Sequence, residues 1–200
     1  MKEKLKNAFL VLLFVSLVAY LSITSILNLT NKKDLRTVNL AEAFDILEVK
    51  HSINGLIPLG TDHYYVGIEM EDESFNAYII KASKDWLDTH FDSGNMAKDA
   101  GGFEFTTLAY KVTDYKVTRE LSSRAAQIRG VNYPLGTEYC LDINYKMMAA
   151  LRLLVAVLCV ILAVTGIYVV RNKGTINPIF GKCWGVGILI TAVLLLLCLI

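Results

Sequence analysis

The 200 residues suffice for one modest domain and a few further helices, and 54% of them are apolar, with a mean hydropathy of +0.44 that is too high for an ordinary soluble protein. Twenty Lys and Arg nearly balance nineteen Asp and Glu. No basic stripe stands out, so the chain carries no signature of a nucleic-acid partner.

The apolar excess falls in three blocks, Ala8 to Thr30, Leu153 to Val170 and Cys183 to Ile200, which are 18 to 23 residues long and free of acidic residues. At 1.5 Å per helical residue, such blocks cross a hydrocarbon core about 30 Å thick. The sequence therefore predicts three transmembrane helices. They divide the chain into residues 1–30 (cytoplasmic tip and first span), 31–147 (globular domain), 148–170 (second span), 171–182 (connector) and 183–200 (third span).

Lys2, Lys4 and Lys6 precede the first span, and Arg171, Lys173 and Lys182 lie between spans two and three, so both regions read as cytoplasmic. The domain then lies outside the cytoplasm in a multi-pass cell-membrane protein, its own basic residues Lys32, Lys33, Arg36 and Lys146 notwithstanding. A segment of that length translocates largely regardless of charge. The first block reads as an uncleaved anchor, because its apolar run exceeds that of a signal peptide and ends in Leu27-Asn28-Leu29-Thr30 without a small-x-small cleavage site. Arg152 stands near the outer end of the second span, where it either snorkels to the interface or pairs with another subunit. Gly174, Asn177, Pro178 and Gly181 mark a turn between spans two and three, and Gly181-x-x-x-Gly185, with Gly187, suggests close helix packing.

Residues 31–147 are polar, rich in aromatics and mildly acidic, the composition of a globular domain with its own core. Asn39 followed by Glu42, with Leu40, Ala43, Phe44 and Leu47 at helical spacing, predicts an amphipathic helix to Lys50. Gly55, Pro58 and Gly60 read as loop. Tyr64 to Met70 and Phe75 to Lys81, separated by Glu71, Asp72, Glu73 and Ser74, predict a hairpin. Ser83 caps a short helix holding Asp85, Trp86, Leu87 and Phe91, and the polar stretch from Asp92 to Gly102 ends it. Phe103, Phe105, Thr107 and Ala109 alternate as a strand running into Val112. Val117, Leu121, Ala125 and Ile128 share a helical face between Asp114 and Gly130. Tyr139, Leu141, Ile143 and Tyr145 alternate as a last strand before the second span. The count is about four strands and three helices, in an order without regular alternation, which is an α+β domain.

Candidate chemistry is sparse. Three histidines are present, and Asp88-x-His90-x-Asp92 is the most metal-like arrangement, although residues two apart on a helix face different ways. The acidic run of Glu69, Glu71, Asp72 and Glu73 lacks the spaced ligands and central glycine of a calcium loop. Asp62 and His63 sit beside Tyr64 and Tyr65 as an acid/base pair without a nucleophile. Cys140 is the sole cysteine of the domain, which rules out an internal disulfide there, and it reads as a buried thiol. No zinc, phosphate-loop or serine-hydrolase motif appears. The sequence thus assigns no catalytic, cofactor-binding or metal residue and implies no cofactor.

The abundant tyrosines supply contact area rather than catalysis. A domain held between spans resembles the organisation of small membrane proteins of Gram-positive bacteria, in layout rather than motif. The expected function is a non-enzymatic, membrane-anchored binding module with the lipid bilayer, a second copy or a larger membrane protein as partner. The alternative is an accessory subunit of a transport or secretion assembly, and a membrane enzyme using Asp62, His63 or His90 comes third.

Overall fold

A computed structural model describes residues 2–31, 33–53, 57–71, 74–171 and 178–199. In chain order these form α1 (Lys2–Thr30), β1 (Leu35–Ile53), β2 (Ile57–Glu71), β3 (Ser74–Ala82), α2 (Lys84–His90), β4 (Phe103–Lys111), α3 (Tyr115–Ala125), β5 (Tyr139–Asp142), α4 (Tyr145–Arg171) and α5 (Pro178–Leu199). The fold is α+β. It divides into two compact units, one holding α1, α5 and α4 from Lys146 onward, the other Asn31–Tyr145.

In the second unit five strands close into a barrel in the order β1-β2-β3-β5-β4. All neighbouring pairs are antiparallel except β3 with β5. This strand order, with its single parallel pair and a helix between β3 and β4, is that of an OB-type barrel. Among the described residues the unit has five strands and two helices, where the sequence predicts four and three. The difference is β1: residues 39–50, expected as a helix, lie inside a 19-residue strand.

The reason is physical. The β1–β2 register shifts between Leu40 and Glu42, between Asp45 and Leu47, and between His51 and Ser52. Each irregularity breaks the two-residue alternation of the strand. Buried apolar residues therefore fall at Leu40, Ala43 and Leu47, a spacing that imitates a helical turn. Pro58 and Gly60, expected in a loop, belong to β2 and pair with Ser52 and His51, and Gly55 lies outside the described residues. Proline is tolerated here because it sits at the start of the strand.

The remaining elements follow the pattern more closely. β2 and β3 form the expected hairpin, from His63 opposite Ala82 to Glu71 opposite Ser74. The Ser83 side chain caps α2 by accepting from the Trp86 N–H, and Asp114 caps α3 by accepting from Lys116 and Val117. The α3 helix stops at Ala125, though Ile128 still packs on the core. Gly130 has φ +81°, a left-handed conformation that suits a glycine beyond a helix end. The last strand is shorter than expected, because Tyr145 already begins α4.

One core is built from Val38, Leu40, Ala43, Tyr65, Ile80 and Leu141, with Phe103, Phe105 and Ala109 beside them, so that all five strands contribute. This is the barrel interior, and Trp86, Leu87 and Phe91 from α2 and its C-cap pack into it. The opposite face of β2, β3 and β5, carrying Tyr64, Val66, Ile79 and Cys140, is covered by Val117 and Leu121 of α3.

In the other unit, Leu21 of α1, Val155, Ala156 and Cys159 of α4 and Cys198 of α5 form a narrow shared core. Trp184 packs over Gly166 and donates its indole N–H to the Leu162 carbonyl at 3.2 Å. A Cβ on Gly166 would lie 2.8 Å from the Trp184 ring, whereas a Cβ on Gly185 meets nothing within 4 Å. The tight α4–α5 approach is thus made at Gly166 and at Gly187, where a Cβ would lie 3.3 Å from Leu162 Cδ2, and not at Gly185. Among the described residues two segments are long and apolar enough to cross a membrane, Val11–Thr30 and Tyr145–Val169, and in α5 the apolar run covers Lys182–Leu196.

Gly67 faces the barrel interior. A Cβ there would come within 2.5 Å of Ile80 Cδ1 and 2.7 Å of Leu40 Cδ1. Gly67→Ala is expected to overpack the core and lower stability by about 1–3 kcal/mol, read from thermal or denaturant unfolding of the purified protein. An unchanged midpoint would contradict this packing.

Candidate functional site

A concavity of the barrel unit arises where the bulged middle of β1 meets α3. The groove has a volume of about 680 Å³. Phe44, Ile68 and Ile128 give it apolar surface, and Asp45, Glu120, Ser123, Arg124 and Gln127 make it polar elsewhere. Arg124 holds the two walls together, because its Nη1 donates to the Ile46 carbonyl at 2.5 Å and its Nε to Glu120 Oε1 at 3.0 Å. The first of these hydrogen bonds satisfies a backbone carbonyl in the region of the bulge. Such a surface combines an apolar anchor point with polar flanks.

A polar network lies beside the α3-covered face. Asp62 Oδ2 accepts from Lys81 Nζ at 2.5 Å and lies 3.0 Å from His51 Nε2, and all three side chains are 22–29% exposed. The sequence pairs Asp62 with His63, but adjacent strand residues point to opposite faces. His63 instead faces the other way, its ring stacked 6.5 Å from that of Tyr65. The actual partner, His51, comes from the neighbouring strand and is visible only once the β1–β2 register is known.

Tyr64, Tyr110 and Cys140 continue the same face. Burial, helped by the nearby Asp62 and Cys140, pushes the Tyr64 phenol well above its usual range, and burial does the same to Tyr110. The Cys140 thiol is pushed up by complete burial and then by Asp142. All three groups keep their protons at neutral pH, so none is an activated nucleophile.

The third cluster surrounds α2. The Trp86 ring lies 5.6–5.8 Å from those of His90, Phe91, Phe103 and Phe105. His90 stacks on Phe103 with ring centroids 3.8 Å apart. Asp88, His90 and Asp92 are not brought together: Asp88 is exposed on α2, and Asp92 Oδ1 accepts from the backbone of Gly94 and Met96. Among the described residues no group of three His, Cys, Asp or Glu side chains converges on a metal position. Of the acidic run, Glu69 accepts from the Asn39 N–H and the Tyr78 hydroxyl, while Asp72 and Glu73 lie outside the described residues.

Arg152 finds its partner within the chain, donating from Nε to the Cys198 carbonyl at 3.4 Å. That carbonyl belongs to the last turn of α5, where unpaired carbonyls and the helix dipole favour a cation. Comparison with protein families, curated proteins and solved structures returns no match to this chain.

His90 provides a pH test of the α2 cluster. Burial holds its pKa below the ordinary value of 6.5, with Asp99 opposing and Lys98 assisting. The unfolded chain therefore takes up this proton first as pH falls, so stability is fully present above about pH 6.5 and declines as pH drops toward the folded-state pKa. His90→Gln is expected to flatten that decline between about pH 7 and 5, measured by melting temperature against pH. An unaltered slope would show that His90 is not held neutral by its aromatic neighbours.

Proposed function

We propose that this chain is a membrane-anchored, non-enzymatic binding module, in which α1, α4 and α5 span the bilayer and the barrel binds a partner protein or envelope ligand outside the cytoplasm. The observation that carries the reading is the exposure of the apolar helices. Only 11% of the apolar window in α1 and 22% of that in α4 is buried. A core helix of a soluble protein would bury most of its length, whereas a lipid-facing helix leaves its apolar side chains uncovered. The hydroxyls of Ser25, Thr30 and Thr165 all return to carbonyls three or four residues earlier in their own helices, which suits an environment without water.

The orientation rests on Lys2, Lys4, Lys6, Arg171, Lys173 and Lys182. The binding role rests on the barrel. Its buried thiol and phenols are held protonated, and its groove combines apolar and polar lining. In OB-type barrels the outer face of the second and third strands takes oligonucleotides or oligosaccharides. In this chain α3 occupies that face, which supports a partner other than nucleic acid.

An accessory-subunit role is the second reading, and the uncovered apolar surface of α4, including Leu154, Ile161 and Val164, favours it. The Arg152–Cys198 hydrogen bond supplies one of the acceptors Arg152 needs from within the chain. A stoichiometric integral partner retained in mild detergent would favour the subunit reading.

Ser93 is exposed between α2 and β4, while the native Cys140 is fully buried. A Ser93→Cys variant is expected to react with a membrane-impermeant maleimide in intact cells beyond the level of the parent protein. Reaction only after lysis would place the barrel in the cytoplasm and overturn the orientation.

A further inference from the structure

The two edges of β1 are used unequally. One pairs with β2 from Leu40 to Ile53, whereas the other pairs with β4 only from Leu35 to Leu40. The segment after α2 extends that second edge a little further: Ala97 N–H donates to the Ala41 carbonyl at 2.8 Å, and Ala43 N–H to the Asn95 carbonyl at 3.0 Å. Beyond Ala43 no strand among the described residues pairs with it. The Ile46 carbonyl is satisfied there by a side chain, that of Arg124 on α3. A free edge presents a row of unpaired N–H and C=O groups, which is a template for another strand.

The groove of about 680 Å³ lies along this edge, so an incoming strand has room for its side chains. Successive strand residues face opposite ways, and here the two faces differ in kind. Phe44 stands opposite Val66 on the face that α3 covers, where Ile68 and Ile128 extend the apolar surface. Asp45 stands opposite Tyr65 on the other face, is exposed, and has no hydrogen-bond or ion-pair partner among the described residues. The other two charges lining the groove, Glu120 and Arg124, neutralise each other at 3.0 Å. The unbalanced charge of the groove is therefore negative.

We propose that this edge of β1 accepts an extended segment of a partner protein in which apolar and basic residues alternate. Its backbone hydrogen-bonds to the outward N–H and C=O groups of β1, its apolar side chains enter the Phe44–Ile68–Ile128 surface beside α3, and a Lys or Arg on its opposite side meets Asp45. Edge-to-edge pairing of two copies would bring Asp45 and Glu48 of each toward those of the other, which disfavours a second copy as the occupant. The site gives the binding-module reading a ligand chemistry and rests on that reading. If the peptide test below fails while Ser93→Cys still reacts in intact cells, the site falls and the wider reading stands.

The test uses the full chain in nonionic detergent and fluorescently labelled acetyl-Val-Lys-Val-Lys-Val-Lys-amide, with the Val-Glu counterpart as control. The lysine peptide is expected to bind saturably, and the glutamate peptide to bind about tenfold or more weaker. Ser123→Trp, at an exposed α3 position that lines the groove, is expected to weaken binding by about tenfold or more at an unchanged melting temperature. Asp45→Asn is expected to weaken it about two- to fivefold, the scale of an exposed ion pair. Hydrogen exchange followed by mass spectrometry is expected to slow across residues 44–52 when the peptide binds, which charge attraction at the surface alone would not cause. No saturable binding, equal affinity for the two peptides, binding indifferent to both variants, or unchanged exchange across residues 44–52 would each overturn the proposal. So would slow exchange there without peptide in a dimer that Ser123→Trp dissociates, which would give the edge to a second copy.

Discussion

The barrel depends on one strand reaching two partners. Leu35 to Leu40 of β1 pair with β4, and Leu40 to Ile53 pair with β2, so Leu40 is the point at which the sheet turns back on itself. A straight strand of this length would run past one neighbour or the other. The irregularities after Leu40 and Asp45 increase its bend and twist and let the same strand begin and complete the closure. Closure shields the interior around Tyr65 and Ile80 and opens the outer groove where the second bulge meets α3.

The helical unit obeys a different constraint. Its shared core is narrow, and most of its apolar surface faces outward. In water such a unit would be an aggregation liability, and in lipid the same surface is matched to its solvent. What holds the helices to each other is local: Gly166 admits the Trp184 ring, the indole N–H is satisfied at Leu162, and Arg152 closes on the end of α5. The Trp184 indole and the Arg152 Nε thus each find an acceptor within the unit.

Much of this is legible in the sequence, and the failures share a cause. The β2–β3 hairpin, the Ser83 and Asp114 caps and the α3 face are local patterns, and the chain reads them out directly. β1 is misread as a helix because bulges are set by tertiary closure, and they turn alternation into an apparent period near four. The network of His51, Asp62 and Lys81 is invisible for a related reason, since it joins three strands whose register no local signal fixes. The pairing of Asp62 with His63 fails because sequence neighbours on a strand are spatial opposites. The free edge of β1 has no sequence signature, because pairing is a property of the closed sheet.

The account turns on β1 closing against β4, and the most direct measurement of that is a cross-strand disulfide. Thr37 and Thr106 are paired in register, with their hydroxyl oxygens 2.7 Å apart. The Thr37→Cys/Thr106→Cys double variant is expected to form an intramolecular disulfide under mild oxidation, seen by mass spectrometry of the digested protein, while each single variant keeps its free thiol. Two persistently free thiols in the folded double variant would mean that these strands do not meet, and that the chain does not close into a barrel.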